Sequence, residues 1–166
     1  MAVAPTARWL WLALAVVVAD RATKYAVERF LPEHSRREVI PGFAALVHSR
    51  NPGVAFGMFA DSEARWLSVA LVLVAVSVVA LIAWLLLTGR VPSAPAPAGL
   101  ALLGGGAAGN LLDRLLFGTV TDFIELHVGA FYWPAFNLAD SAITAGAALL
   151  IIEMLRGESR SAAAPR

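Results

Sequence analysis

Residues 66–88 read WLSVALVLVAVSVVALIAWLLLT, 23 consecutive positions without an Asp, Glu, Lys or Arg, closed by Gly89 and Arg90. A helix that crosses the hydrocarbon core of a bilayer needs about 20 such residues. Residues 91–112 form a second uncharged run of 22 positions, opening with a linker rich in Pro and Ala. A soluble core built from 166 residues could not hide both segments. The whole chain agrees: 59% of it is hydrophobic and only 15% charged, against about 25% charged in an average soluble domain. The mean hydropathy is +0.72. These values exclude a soluble globule, and they exclude a disordered chain, which would be polar. A formal net charge of +1 gives no basic footprint for nucleic acid. The absence of cysteine rules out disulfides, Cys-ligated metals and a Cys nucleophile.

Outward from this run the chain divides into four expected spans, about 5–30, 66–88, 98–116 and 136–155. The first holds a short apolar run, Trp9–Ala19, broken by Asp20. That run resembles the core of a signal peptide, but the apolar pattern resumes through Tyr25, Ala26, Val27, Phe30 and Leu31. One helix from Pro5 to Phe30 is therefore expected, with Pro5 in its first turn. The fold class expected is an all-α membrane protein of four transmembrane helices, with a small β element on one membrane face. Residues 1–158 make a single membrane domain, and Ser159–Arg166 looks like a disordered end. Four spans put both termini on one side and the connections 31–65 and 117–135 on the other. Lys and Arg are spread over both sides, so charge bias leaves the orientation open.

The connections carry strand signals. Thr119–Val128 is rich in β-branched residues and partly alternates. Arg37–Ile40, the Pro41-Gly42 turn and Phe43–His48 read as a hairpin. Residues 51–57 look like a turn-rich loop, and 60–65 like a short interfacial helix.

Nearly every unusual polar residue falls on this second side or in the adjoining helix ends: Asp20, Lys24, Asn51, Asn110, Asp113, Arg114, Asp122, Asn137 and Asp140. Ionisable groups in or beside a span are costly, so they pair or they work. Asp20 and Lys24, four apart, read as an intrahelical ion pair. Asn110, Asp113 and Arg114 share one side of a last helical turn, where Asp113 can also be a salt-bridge and capping group for Arg114. Asn137 and Asp140 share the first turn of the fourth span, and Asn137 can cap it. Gly104–Gly106 and Gly109 allow close approach to a neighbouring helix. Three carboxylates, Asp113, Asp122 and Asp140, can gather at one membrane surface. Two adjacent carboxylates share one proton, so that one acts as base and the other as acid. Such a dyad activates water with neither metal nor cofactor. Spacing leaves Asp113 and Asp122 equal candidates to pair with Asp140. His34, His48 and His127 lack metal-ligand spacing, and Ser141 has no adjacent base. A small proton-coupled transporter is the rival class, since it too would use intramembrane carboxylates.

Five stretches in order carry a resemblance: DRATK (20–24), NPGVAFG (51–57), GGAAGNLLDR (105–114), GTVTDFI (118–124) and FNLADSAI (136–143). Together with four spans and this length, they resemble the bacterial lipoprotein signal peptidases, the type II signal peptidases. The resemblance implies a four-helix aspartyl peptidase of the plasma membrane. It implies cytoplasmic termini, an extracytoplasmic active site, and cleavage of prolipoproteins on the amino side of a diacylglyceryl-modified Cys. It implies Asp122 and Asp140 as the catalytic pair, with Asn51, Asn110, Asp113, Arg114 and Asn137 binding substrate or orienting the site. Partners would be the lipidated precursors and membrane lipids, with no oligomeric partner required. Arg114 beside Asp113 agrees with the choice of Asp122, because an Arg-held Asp is a poorer proton donor. Thr121, before the Asp that the resemblance makes catalytic, is the main departure from the pattern, which expects an apolar residue there.

Overall fold

In the computed structural model, which describes residues 5–52, 65–91 and 95–162, a 3₁₀ turn at Pro5–Trp9 leads into α1 (Leu10–Phe30). A hairpin of β1 (Arg36–Ile40) and β2 (Ala44–Asn51) follows. Then come α2 (Arg65–Thr88), α3 (Ala96–Phe117), β3 (Val120–Val128), β4 (Phe131–Tyr132) and α4 (Leu138–Ala162). The protein is therefore mostly helical, with one small antiparallel sheet ordered β1-β2-β3-β4.

Three helical stretches among the described residues are long and apolar enough to cross a membrane: Ser68–Thr88, Ala96–Phe117 and Leu138–Arg156. Leu73, Val74 and Leu81 of α2 and Ile151 and Met154 of α4 are exposed, an apolar surface that suits lipid rather than water. α1 falls short of the same measure because Asp20, Arg21 and Lys24 crowd into its second half. Its start also differs from expectation. The first residues wind as 3₁₀ helix, and the Thr6 hydroxyl donates to the Leu86 carbonyl of α2 at 2.7 Å.

α3 packs against all three other helices. Its three consecutive glycines divide the work at about 100° per residue. A Cβ on Gly104 would lie 2.8 Å from Ile82 of α2, one on Gly105 2.7 Å from the Ala13 carbonyl of α1, and one on Gly106 would overlap the Ala139 carbonyl of α4. The expected glycine approach is thus made to three neighbours at once. α3 ends at Gly118, whose φ of 74° is a left-handed cap that turns the chain straight into β3.

The expected hairpin and the 120s strand are both present. β2 runs further than the sequence suggests, through Asn51, so Asn51 sits on a strand paired with β3 and not in a loop. The remaining residues of that expected loop, and most of the expected helix at 60–65, lie outside the described residues. β4 has no counterpart in the sequence reading. The disordered end expected from Ser159 begins inside a helix instead: α4 continues to Ala162, and 163–166 lie outside the described residues.

Candidate active site

The site forms where the helix ends meet the sheet. Phe136, just before α4, hydrogen-bonds across β3: its carbonyl accepts from the N–H groups of Phe123 (3.0 Å) and Ile124 (2.8 Å), and its own N–H donates to the Ile124 carbonyl (3.0 Å). This pins the start of α4 one residue beyond Asp122. Asn137 then caps α4 reciprocally. Its Oδ1 accepts the Asp140 N–H at 3.0 Å, and Asp140 Oδ2 accepts the Asn137 N–H at 3.2 Å, a capping box with Asp in the Glu position. The expected cap is therefore present, and it carries Asp140 into the site.

All four oxygens of Asp122 and Asp140 are held. Asp122 Oδ1 accepts from Asn137 Nδ2 (2.7 Å) and Oδ2 from Asn51 Nδ2 (3.1 Å). Asp140 Oδ1 accepts from Asn110 Nδ2 (2.8 Å), and its Oδ2 takes the Asn137 N–H already described. Three asparagines thus hold two carboxylates without bringing a positive charge to either. Burial pushes the Asp122 carboxyl up to about 6, and the nearby Asp140 charge adds to this, while the bonds from Asn51 and Asn137 oppose it. A carboxyl that holds its proton well above the ordinary carboxylate range beside a second carboxylate is the arrangement a shared-proton dyad requires.

Behind this pair lies a buried charge network. Lys24, fully buried, reaches Asp20 Oδ2 (2.8 Å), Asp113 Oδ2 (3.1 Å) and Asn110 Oδ1 (2.9 Å). Asp20 Oδ1 in turn accepts the Ala139 N–H of α4 at 2.9 Å. The expected Asp20–Lys24 ion pair exists, yet it also ties α1 to α3 and to the first turn of α4. One expectation is corrected: Asp113 does not pair with Arg114. Its cations are Lys24 and Arg21, whose Nη1 lies 2.7 Å from Asp113 Oδ1. Adjacent residues on a helix diverge by about 100°, so Asp113 turns toward α1. Arg114 instead donates to the Asn110 carbonyl at 3.2 Å, and its buried Nε has no hydrogen-bond partner among the described residues.

Two grooves open on the site. One, of about 520 Å³, runs between α4 and the sheet, with Asp140 at its head and Leu126, Trp133, Phe136 and Thr144 along it. The other, of about 300 Å³, runs between α2 and α3 and ends at Asn110 and Arg114. Among the described residues no cluster of three or more His, Asp or Glu is arranged to hold a metal ion.

Residues 12–156 match the family model described as signal peptidase (SPase) II. The chain belongs to the signal peptidase II family. A protein of Solibacter usitatus named lipoprotein signal peptidase is 42% identical over 160 residues, covering 95% of this chain and 98% of its own. One of the same name from Pseudomonas fluorescens strain Pf0-1 is 46% identical over 153 residues, covering 90% and 88%. A solved structure described as a bacterial membrane enzyme, determined by the in meso method at 2.3 Å, superposes with a TM-score of 0.81 at 28% identity, over 96% of this chain and 94% of that one. As a signal peptidase II the chain is a hydrolase, a membrane peptidase, and the transporter alternative finds no support.

In this signal peptidase II the structure brings together every site residue the sequence singled out: Asp20, Lys24, Asn51, Asn110, Asp113, Arg114, Asp122, Asn137 and Asp140. It adds two that the sequence reading passed over, Arg21 and Glu28, and it joins to them Thr121, which the sequence marked only as a departure from the pattern. A signal for Arg21 and Glu28 was available. At helical spacing, positions 20, 21, 24 and 28 of α1 fall within an arc of about 100°, a polar stripe that must face protein if the rest of the helix faces lipid.

Proposed function

We propose that this chain is an aspartyl endopeptidase that removes signal peptides from prolipoproteins, cleaving on the amino side of a diacylglyceryl-modified Cys. The observation that carries the reading is the cradle of asparagines around Asp122 and Asp140, which fixes two carboxylates together without a cation on either. Asp122 and Asp140 are the catalytic pair. The ionised carboxyl takes a proton from a water that attacks the scissile carbonyl, and the protonated one donates to the carbonyl oxygen. The tetrahedral adduct then collapses as a carboxyl proton passes to the leaving amine. Asn51, Asn110 and Asn137 orient the carboxylates, and Asp113 holds the cluster through Lys24. Arg114, with a donor to spare, meets a substrate carbonyl.

All four helices span the membrane, α1 included. Arg21 and Lys24 are turned inward to Asp113 of α3, while Trp11, Leu14 and Val18 present an apolar exterior. The protein is a multi-pass protein of the bacterial inner membrane, with cytoplasmic termini and the sheet and dyad at the extracytoplasmic face. The precursor's signal helix lies along the groove between α2 and α3, and its lipid chains remain in the bilayer. One chain is a complete enzyme.

The test is cleavage of a lipidated precursor set beside its unlipidated form, by the wild type and by Asp122→Asn and Asp140→Asn. Only the lipidated form should be cut, and only by the wild type. Full cleavage by either variant would refute the dyad, and equal cleavage of both precursors would refute the substrate class.

A further inference from the structure

Thr121, immediately before Asp122, uses every polar group it has. Its hydroxyl donates to Glu28 Oε1 at 2.8 Å, its N–H donates to Asp113 Oδ2 at 3.1 Å, and its carbonyl accepts from Asn137 Nδ2 at 3.4 Å. Glu28 is paired with Arg21, and Arg21 with Asp113. Arg21, Glu28, Thr121 and Asp113 therefore close a ring that joins α1, α3 and β3. Thr121 and Asp113 are fully buried in it.

The ring adds a hold from the helix side at a point where the sheet is irregular. The β2–β3 register is irregular between Leu46 and Ser49, and Ser49 is the residue opposite Asp122. Regular pairing resumes only at that point and runs on through Thr121, opposite Arg50, to Val120 at the strand's start. On its other edge β3 is held by Phe136, but at Phe123 and Ile124, beyond Asp122. The backbone that carries the Asp122 side chain thus sits beside a defect in the ladder, and the ring is its anchor on the helix side.

We propose that Thr121 is a positioning residue for Asp122: the Arg21–Glu28–Asp113 ring grips its hydroxyl and amide, and so sets the Asp122 carboxylate against Asp140. This rests on the reading of Asp122 as half of the dyad. A valine at this position would fill the same space. If packing alone mattered, its loss of a hydroxyl would leave catalysis untouched. If the ring positions the strand, Glu28 loses its grip and the carboxylate drifts, and a sub-ångström drift at a reacting group costs about tenfold in rate.

The experiment uses the full-length enzyme in detergent with a lipidated precursor peptide, and compares Thr121→Val, Thr121→Ser, Glu28→Leu, the Thr121→Val/Glu28→Leu double variant and Asp122→Asn. Expected are a drop of about tenfold in kcat for Thr121→Val with KM within about twofold, restoration of most of kcat by Thr121→Ser, and a double variant no slower than the slower single, since both cut the same bond. Glu28→Leu, at a partly exposed site, keeps the question answerable if Thr121→Val fails to fold. Wild-type kcat in Thr121→Val, a serine variant as slow as the valine one, or additive losses in the double variant would overturn the positioning role. Activity in Asp122→Asn would overturn the dyad itself, so the two failures are distinguishable.

Discussion

Neutralising Asp122 should stabilise the protein at neutral pH while abolishing its activity, and the size of the effect follows from the site. The carboxyl titrates near 6 in the folded state against an ordinary 3.8. At about 1.4 kcal/mol per pH unit, ionised Asp122 therefore costs the fold about 3 kcal/mol at pH 7. The sign is set by proton binding. The folded state holds this proton more tightly than the unfolded chain, so the cost is absent below about pH 4, grows between about pH 4 and 6, and is constant above. Asn is neutral throughout. Asp122 accepts from an amide on each oxygen, and Asn can accept on only one, so the variant gives up a hydrogen bond worth about 1 kcal/mol. The balance is a gain of about 2 kcal/mol at pH 7, or roughly 4–8 °C in Tm for a chain of this size, and a small loss near pH 4. Thermal unfolding in detergent at pH 4 to 8, followed by tryptophan fluorescence, measures both. A variant less stable than wild type at pH 7, or a difference that does not change with pH, would refute the account of Asp122 as a buried, charge-penalised carboxyl.

The dyad's shared proton should leave the free enzyme near pH 6, so kcat/KM should fall on the alkaline side of that value. In Asn51→Ala the limb should move upward by up to about one pH unit, because Asn51 donates to Asp122 and holds its carboxyl down; a pH–rate profile that stays in place would contradict the contact. Lys24→Met removes the cation shared by Asp20 and Asp113 and strands Asp20 with a buried charge. A loss of about 3–5 kcal/mol is expected, read as little folded protein or a large fall in Tm, and a wild-type Tm would show that the network is not what holds α1. Gly106→Ala would drive a methyl into the Ala139 carbonyl and Ile143, prising α4 from α3 at a cost of about 1–3 kcal/mol and lowering kcat because Asp140 rides on that turn; an unchanged Tm and kcat would refute the close contact.

How much of this was legible in the sequence depended on range. The spans 66–88 and 98–116 were readable because bilayer crossing is a local demand on length and polarity, met or failed within one run. The Asn137–Asp140 cap was readable for the same reason: its two hydrogen bonds join residues three apart. The partner of Asp113 was not. Its sequence neighbour Arg114 is the obvious cation, but helical geometry turns the two apart, and the cations that reach Asp113 come from α1, about 90 positions away. Asn51 reads as a turn residue because Pro52 and Gly53 follow it. Only the register of β2 on β3, with Asn51 opposite Val120, shows that it can reach Asp122.

The same distinction explains why α1 looks poor as a membrane span and good as part of an enzyme. A charge on a lone helix in lipid is a cost with no return. Asp20 and Lys24 are fully buried against α3 and α4, and Arg21 and Glu28 close on Asp113 and Thr121. Four of the residues that lower the hydropathy of α1 thus turn toward protein, and Asp20 and Lys24 among them tie the helix to the residues behind Asp122 and Asp140. A bundle of uniformly apolar helices can slide and rotate, since lipid and leucine are alike to it. Lys24 cannot rotate away from α3 without breaking its ion pair to Asp113 and its hydrogen bond to Asn110 at once. The polar stripe therefore locks the rotation of α1, and through the Asp20 bond to Ala139 it locks the first turn of α4, which carries Asp140.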